Sequence, residues 1–94
     1  MKELKDTVDL MLSDDYIDRF KAEYYQLETR FIKLASMVGN WDKLTFTPNM
    51  SREFYIKQLH AMAMYLYYLI FRSGIEKVNI DKSENIDELI LIYM

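Results

Sequence analysis

Residues 16–38 read YIDRFKAEYYQLETRFIKLASMV, and the placing of their apolar and aromatic side chains decides the fold. Ile17, Phe20, Tyr24, Leu27, Phe31, Leu34 and Val38 recur at alternating steps of three and four, the spacing that lines one face of an α-helix. Ser13 or Asp14 is expected to cap its N-terminus, Asp14, Asp15 and Asp18 suit the positive end of its dipole, and Gly39-Asn40 supplies a stop. The connection NWDKLTFTPNM (40–50) is punctuated by Pro48. A second helix is predicted from Ser51, with Glu53 in its first turn, to Ser73-Gly74, and its inward seam reads Tyr55, Leu59, Met62, Leu66 and Leu69. Two helices of about 23 residues, each roughly 34 Å long and joined by a short loop, make an antiparallel hairpin.

The rest of the chain is consistent with an all-α fold. Its 94 residues hold one domain, and 51% hydrophobic residues exclude disorder. Cysteine is absent, so neither a disulfide nor a cysteine metal site can staple a core of this size. Two Gly and one Pro leave few tight turns for a many-stranded β fold. The expected organisation is a short amphipathic segment at 1–15 (Leu4, Val8, Met11, Leu12), the hairpin at 16–74, and an acidic tail at 75–94 with a short helix or strand. No apolar run reaches the roughly 20 residues that span a bilayer, and MKELKDTVDL lacks the apolar stretch of a signal peptide, so a cytoplasmic location without a membrane partner is expected.

Charge is divided along the chain. The net charge is −3, but residues 1–15 and 75–94 are acidic and the middle is basic: Arg19, Lys21, Arg30, Lys33, Lys43, Arg52, Lys57 and Arg72 outnumber Asp18, Glu23, Glu28, Asp42 and Glu53. A pI of 5.1 argues against a duplex nucleic-acid binder, whose domain pI usually exceeds about 9. A small anionic ligand held by a few central cations remains compatible, because local charge governs that interaction.

The second helix carries more apolar surface than one partner helix can cover. Residues 61–71, AMAMYLYYLIF, contain no charged or amide side chain, and a helix apolar all round must be buried all round. Met64, Tyr67, Tyr68 and Phe71 are the expected homo-oligomer interface. The N-terminal segment or IDELILIYM folding back over that face is the alternative cover.

Motifs for catalysis are missing. His60 has no second His and no Cys for a zinc site or a nucleophile pair, and it reads as a surface or interface histidine. Neither a Gly-rich phosphate loop nor a Ser elbow occurs, so no catalytic residue, metal or cofactor is expected. The end of the hairpin nearest the loop is more informative. Antiparallel packing brings Arg30 and Lys33 toward Arg52 and Lys57, and the loop adds Trp41 and Thr47; cations, a hydroxyl and a π-face are the ingredients of a phosphate or nucleotide pocket. Gln58 and Arg30, beside the packed seam with Tyr24, are expected to bond across the hairpin and to a carboxylate or carbonyl, respectively.

The stretches EYYQLETRFIKL, FTP and QLHAMAMYLYYLIFR resemble a family of small crAss-phage-related proteins over about residues 20–80. Asn49, Met50 and Ser51 depart from that family's pattern after Pro48, and Lys77 stands where it usually has Gly. The resemblance implies a phage accessory protein without enzymology, similar in design to helical sponge proteins that sequester cyclic oligonucleotide or cyclic ADP-ribose immune signals. On that reading Arg30, Lys33, Arg52 and Lys57 hold phosphate, and Trp41 and Thr47 contact the rest of the ligand. A module that inhibits a host protein and a structural oligomer of the phage are the alternatives.

Overall fold

The computed structural model describes residues 2–94. A 3-10 turn (Leu4–Thr7) leads into a one-turn helix α1 (Val8–Met11); α2 (Tyr16–Gly39) and α3 (Arg52–Glu76) form the long antiparallel pair, with a 3-10 turn (Trp41–Lys43) in their connection; α4 (Ile86–Tyr93) closes the chain. The tail thus holds a helix.

The hairpin seam packs as its periodicity requires. Phe20, Tyr24, Phe31 and Val38 of α2 are buried against Leu59, Ala63, Leu66 and Leu69 of α3, with Leu27, Leu34, Tyr55 and Met62 half-buried beside them. Ile17, in the first turn of α2, stays 42% exposed. The capping differs from expectation in one residue: Asp15, and neither Ser13 nor Asp14, caps α2 by accepting from the Ile17 amide at 2.9 Å. Ser13 instead donates its hydroxyl to Asp18 and accepts from the Asp15 amide, which orients the cap. Ser51 caps α3 by accepting from the Phe54 amide at 3.1 Å.

Gly74 does not stop α3. The helix continues to Glu76, and Lys77 takes the left-handed conformation with φ 57°, while the Val78 amide donates back to the Ser73 carbonyl at 2.9 Å. That six-to-one bond, with buried Val78 following, is a Schellman stop built on a lysine. Gly74 lies inside the helix, and its Cβ position faces open space.

Both termini return to α2, on sides that α3 leaves open. On one side the Thr29 hydroxyl donates to the Lys2 carbonyl, Gln26 Nε2 donates to Thr7 Oγ1 at 2.9 Å, and the Lys2 ammonium lies 5.0 Å from the Tyr25 ring centre. On the other, Glu28 is 1% exposed and accepts from the Tyr24 hydroxyl, the Ser83 amide at 3.0 Å and the Ser83 hydroxyl. Tyr25 adds an acceptor for the Asp81 amide at 2.9 Å. These bonds hold residues 78–85 so that α4 packs along α3, with Ile86 and Ile90 buried and Tyr93 edge-on to Phe31. Gln58 and Arg30 do not play the buried roles expected of them. Both are exposed and make no side-chain hydrogen bond among the described residues, because they lie beside the seam, clear of the contact.

Two outcomes follow. Glu28→Ala strands two hydroxyls and an amide, each costing about 1–3 kcal/mol if left unpaired; a fall in the denaturant midpoint and faster amide exchange at Ser83 are expected. Lys77→Gly removes the left-handed penalty of roughly 1–2 kcal/mol, less the larger unfolded entropy of Gly. A net gain of about 0.5–1 kcal/mol should raise the melting temperature by several degrees at ~4–8 °C per kcal/mol.

Candidate functional site

Three surface grooves have distinct chemistry. Tyr67, Ile70 and Phe71 of α3 with Asp87, Ile90, Leu91 and Met94 of α4 line an apolar groove of about 320 Å³. Ile32 of α2 with Glu84, Ile86, Glu88, Leu89 and Ile92 lines a second, acidic one of about 230 Å³. The third, about 240 Å³, lies between α1, α2 and α3 and is lined by Met11, Arg19, Glu23, Gln26, Leu27, Arg30 and Tyr65. Of the three, this is the one with guanidinium groups, so it is the one suited to an anion.

In that groove Tyr65 donates its hydroxyl to Glu23, which fixes the ring against α2, and Arg19 Nη1 donates to the Ser13 carbonyl at 2.9 Å. Gln26 presents its amide between Thr7 and the Met11 sulfur. Arg30 is unpaired among the described residues, so its donors are free for a ligand. Arg19, Glu23, Gln26 and Tyr65 were not among the expected residues. A signal for three of them was present: 19, 23, 26, 30 and 33 repeat the three-and-four spacing of the seam on the neighbouring stripe of the same helix.

The other expected ligand residues lie elsewhere. Lys33 pairs with Glu3 at 3.5 Å, both half-exposed. At the loop end, Arg52 Nε donates to the Val38 carbonyl at 3.4 Å, which places a cation on the negative end of the α2 dipole. Trp41 is half-buried with its ring centre 6.1 Å from that of Tyr55, and Thr47 is exposed in the connection. Lys57 is exposed and lies about 140° round α3 from Arg52 at 100° per residue. His60 is exposed and donates from Nδ1 to the Tyr93 carbonyl at 2.9 Å, tying the end of α4 to α3. Of the expected interface, Tyr67, Tyr68 and Phe71 are exposed and Met64 is half-buried.

At the open end of the hairpin the charged groups are already committed. Tyr16 donates to Glu76 at 2.6 Å, and Arg72 donates to Glu76 at 3.1 Å and to the Tyr16 oxygen at 2.9 Å while stacking over Phe20. The bonds from Tyr16 and then Arg72 hold the Glu76 carboxyl below its ordinary value, and the Glu76 bond raises the Tyr16 hydroxyl. In the interior, burial and then the bond to Glu28 push Tyr24 far above the tyrosine range.

No curated protein and no solved structure matches the chain. A family model does, over residues 14–74, which run from just before the α2 cap to Gly74 and cover well over half of the chain. The chain belongs to the Sequestin family. A Sequestin is a phage protein that sequesters a signalling molecule, a role that requires binding and no turnover. The Sequestin span contains α2, the connection and nearly all of α3, hence both long walls of the basic groove, whereas Met11 and α4 lie outside it.

The pH dependence of the open end is testable. Glu76 has a lowered carboxyl, so its contribution is complete above the ordinary value of 4.5 and is lost as pH falls through the lower folded value. Glu76→Gln should therefore melt below wild type at neutral pH, and the difference should shrink as the pH drops below 4.5.

Proposed function

We propose that this Sequestin protein binds a small anionic nucleotide signal of bacterial immunity, a cyclic di- or oligonucleotide or a cyclic ADP-ribose, and holds it unaltered. The observation that carries this reading is the groove between the two family helices, lined by the unpaired Arg30, by Arg19 and by Tyr65. Guanidinium groups match phosphate oxygens bidentately, and a tyrosine ring stacks on a base without regard to its identity. Lys33, Trp41, Thr47, Arg52 and Lys57, the rest of the proposed ligand set, lie outside this groove. The cations among them lie on the basic middle of an otherwise acidic chain, where they draw an anion toward the hairpin and raise its rate of encounter.

Sequestration removes signal in proportion to the amount of protein, so a sponge needs abundance and affinity. A homo-oligomer, with Met64, Tyr67, Tyr68 and Phe71 at its interface, fits the exposed apolar face of α3. That face is also the observation favouring the second reading, a module that inhibits a host protein by contact.

The test is incubation with a panel of cyclic dinucleotides, cyclic trinucleotides and cyclic ADP-ribose variants, followed by denaturation and recovery of the ligand. At 100 times its dissociation constant, a ligand stabilises the fold by about 2.7 kcal/mol, so a melting shift above ~10 °C is expected at about 4–8 °C per kcal/mol. Arg30→Ala should weaken binding at least tenfold, about 1.4 kcal/mol, while leaving the melting point of the free protein unchanged, because Arg30 is exposed and unpaired. Arg52→Ala is the poorer probe, since it also removes a helix cap. A degraded ligand would mean an enzyme, and no shift with any member would favour the protein-contact reading.

A further inference from the structure

The N-terminal segment lies outside the family span, and its bonds to α2 all run in one direction. Among the described residues, every hydrogen bond and ion pair between residues 2–12 and α2 has its donor on α2 and its acceptor on the segment. Thr29 gives its hydroxyl to the Lys2 carbonyl, Gln26 Nε2 donates to Thr7 Oγ1 at 2.9 Å and to the Met11 sulfur at 3.6 Å, and the Lys33 ammonium lies 3.5 Å from the Glu3 carboxylate. Gln26, Thr29 and Lys33 follow one another at steps of three and four on the stripe that also carries the unpaired Arg30. The segment thus offers this row what a phosphate ester would offer it, oxygen acceptors and a negative charge. The rest of its hold is slight. Thr7 is buried and Leu10 packs on the core, but Leu4, Val8, Met11 and Leu12 all stay exposed, Leu12 at 72%.

We infer that residues 2–12 are an autoinhibitory strap, which occupies the donor row of α2 in the free protein and is displaced when a phosphate-bearing ligand enters the basic groove. The inference rests on the reading of that groove as an anion site. Two features favour displacement over a strap that stays as a wall. The acceptors it supplies are weak: a thioether, a hydroxyl and a carbonyl are neutral, and the one charged link, Lys33 to Glu3, is exposed on both sides, where an ion pair contributes little. Hydrogen bonds to an ionised phosphate are roughly twice as strong as neutral ones, so the ligand is the better partner for the same donors. The groove is also small, about 240 Å³ with Met11 as one of its walls, below the ~300–1,000 Å³ of pockets that enclose a drug-sized ligand. Withdrawing Met11 widens it toward Gln26, Thr29 and Lys33, which joins the Lys33 ammonium to Arg30. Ser13 remains behind as the pivot, because its hydroxyl donates to Asp18 and accepts from the Asp15 amide within the α2 cap. Anions that bind these donors no better than the strap does leave it in place.

The chain contains no cysteine, so a single introduced one carries a label to one place. Lys5 is exposed and has no side-chain partner among the described residues, so Lys5→Cys bearing a nitroxide reports the strap without loosening it. Millimolar inorganic pyrophosphate is the probe, with sodium chloride of equal ionic strength as the control, since an exposed pair is also weakened by salt. Pyrophosphate should give the label a mobile component that chloride does not. Adding Glu3→Gln removes the charged link at the surface, away from the core, and should lower the pyrophosphate midpoint roughly two- to fivefold, because less of the binding free energy goes into displacing the strap. A wall that closes on the ligand makes the opposite outcomes, a label that stiffens and a Glu3→Gln midpoint that rises, and either one overturns the strap. A label unmoved by pyrophosphate overturns it as well, and recovery of a nucleotide from the panel in that case leaves the sponge reading standing. Release by pyrophosphate with no nucleotide recovered has the reverse meaning: the strap stands and the nucleotide reading falls.

Discussion

The carboxylate of Glu28 is the group on which the arrangement of the C-terminal third depends. It lies in the interior with 1% exposure, where a carboxylate is tolerable only if donors surround it. Tyr24 supplies one from the preceding turn of the same helix, and Ser83 supplies two from a segment 55 residues downstream. Residues 78–85 therefore cannot leave α2 without stranding a buried charge. Their path delivers Ile86 and Ile90 to the hairpin and seats α4 beside α3. The apolar groove of Tyr67, Phe71, Leu91 and Met94 thus rests on a polar contact with the opposite partner helix.

The hairpin was legible because its signal is redundant: a seam repeated over three heptads tolerates an error at any one position, as the exposed Ile17 illustrates. Glu28 was illegible for the converse reason. Its neighbours on the wheel are Tyr24 and Ile32, but nothing local says that a serine far along the chain will meet it, so it reads as an ordinary surface glutamate. Arg30 and Gln58 failed in the other direction. They border the seam, and whether a bordering side chain turns inward depends on the width of the contact, which periodicity does not fix. The end of α3 was misread because Gly74 is a weak helix breaker. A glycine within a helix costs only about 1 kcal/mol, and the left-handed stop fell on Lys77.

The charge and the rings proposed for a ligand were legible in the sequence, and their arrangement around the helices was not. Cations and aromatic rings in the basic middle of an acidic chain pointed to an anion. Assigning them to the loop end assumed that residues near in helix level are near in space. Helix level is one coordinate of two, and the other, angle around the axis, separates Arg52 from Lys57 and places Arg30 on the stripe that faces Tyr65. Arg52, meanwhile, is engaged by the last carbonyls of α2, the demand that any helix C-terminus makes on a nearby cation.

Two surfaces of opposite chemistry consequently occupy different sides of one hairpin. The basic groove is walled by α2 and the Tyr65 side of α3; the apolar one takes the outer side of α3 and α4. The division follows from the helical period, because Tyr65 lies about 120° round α3 from Phe71 at 100° per residue. The ligand proposed for the one and the contact proposed for the other therefore draw on different side chains. The family span supplies both long walls of the basic groove, whereas the apolar groove is half built from α4, beyond that span. A change in the C-terminal segment can therefore reshape the apolar groove while leaving Arg30 and Tyr65 in place, and a change in the α2 stripe can alter the basic groove while leaving Leu91 and Met94 in place.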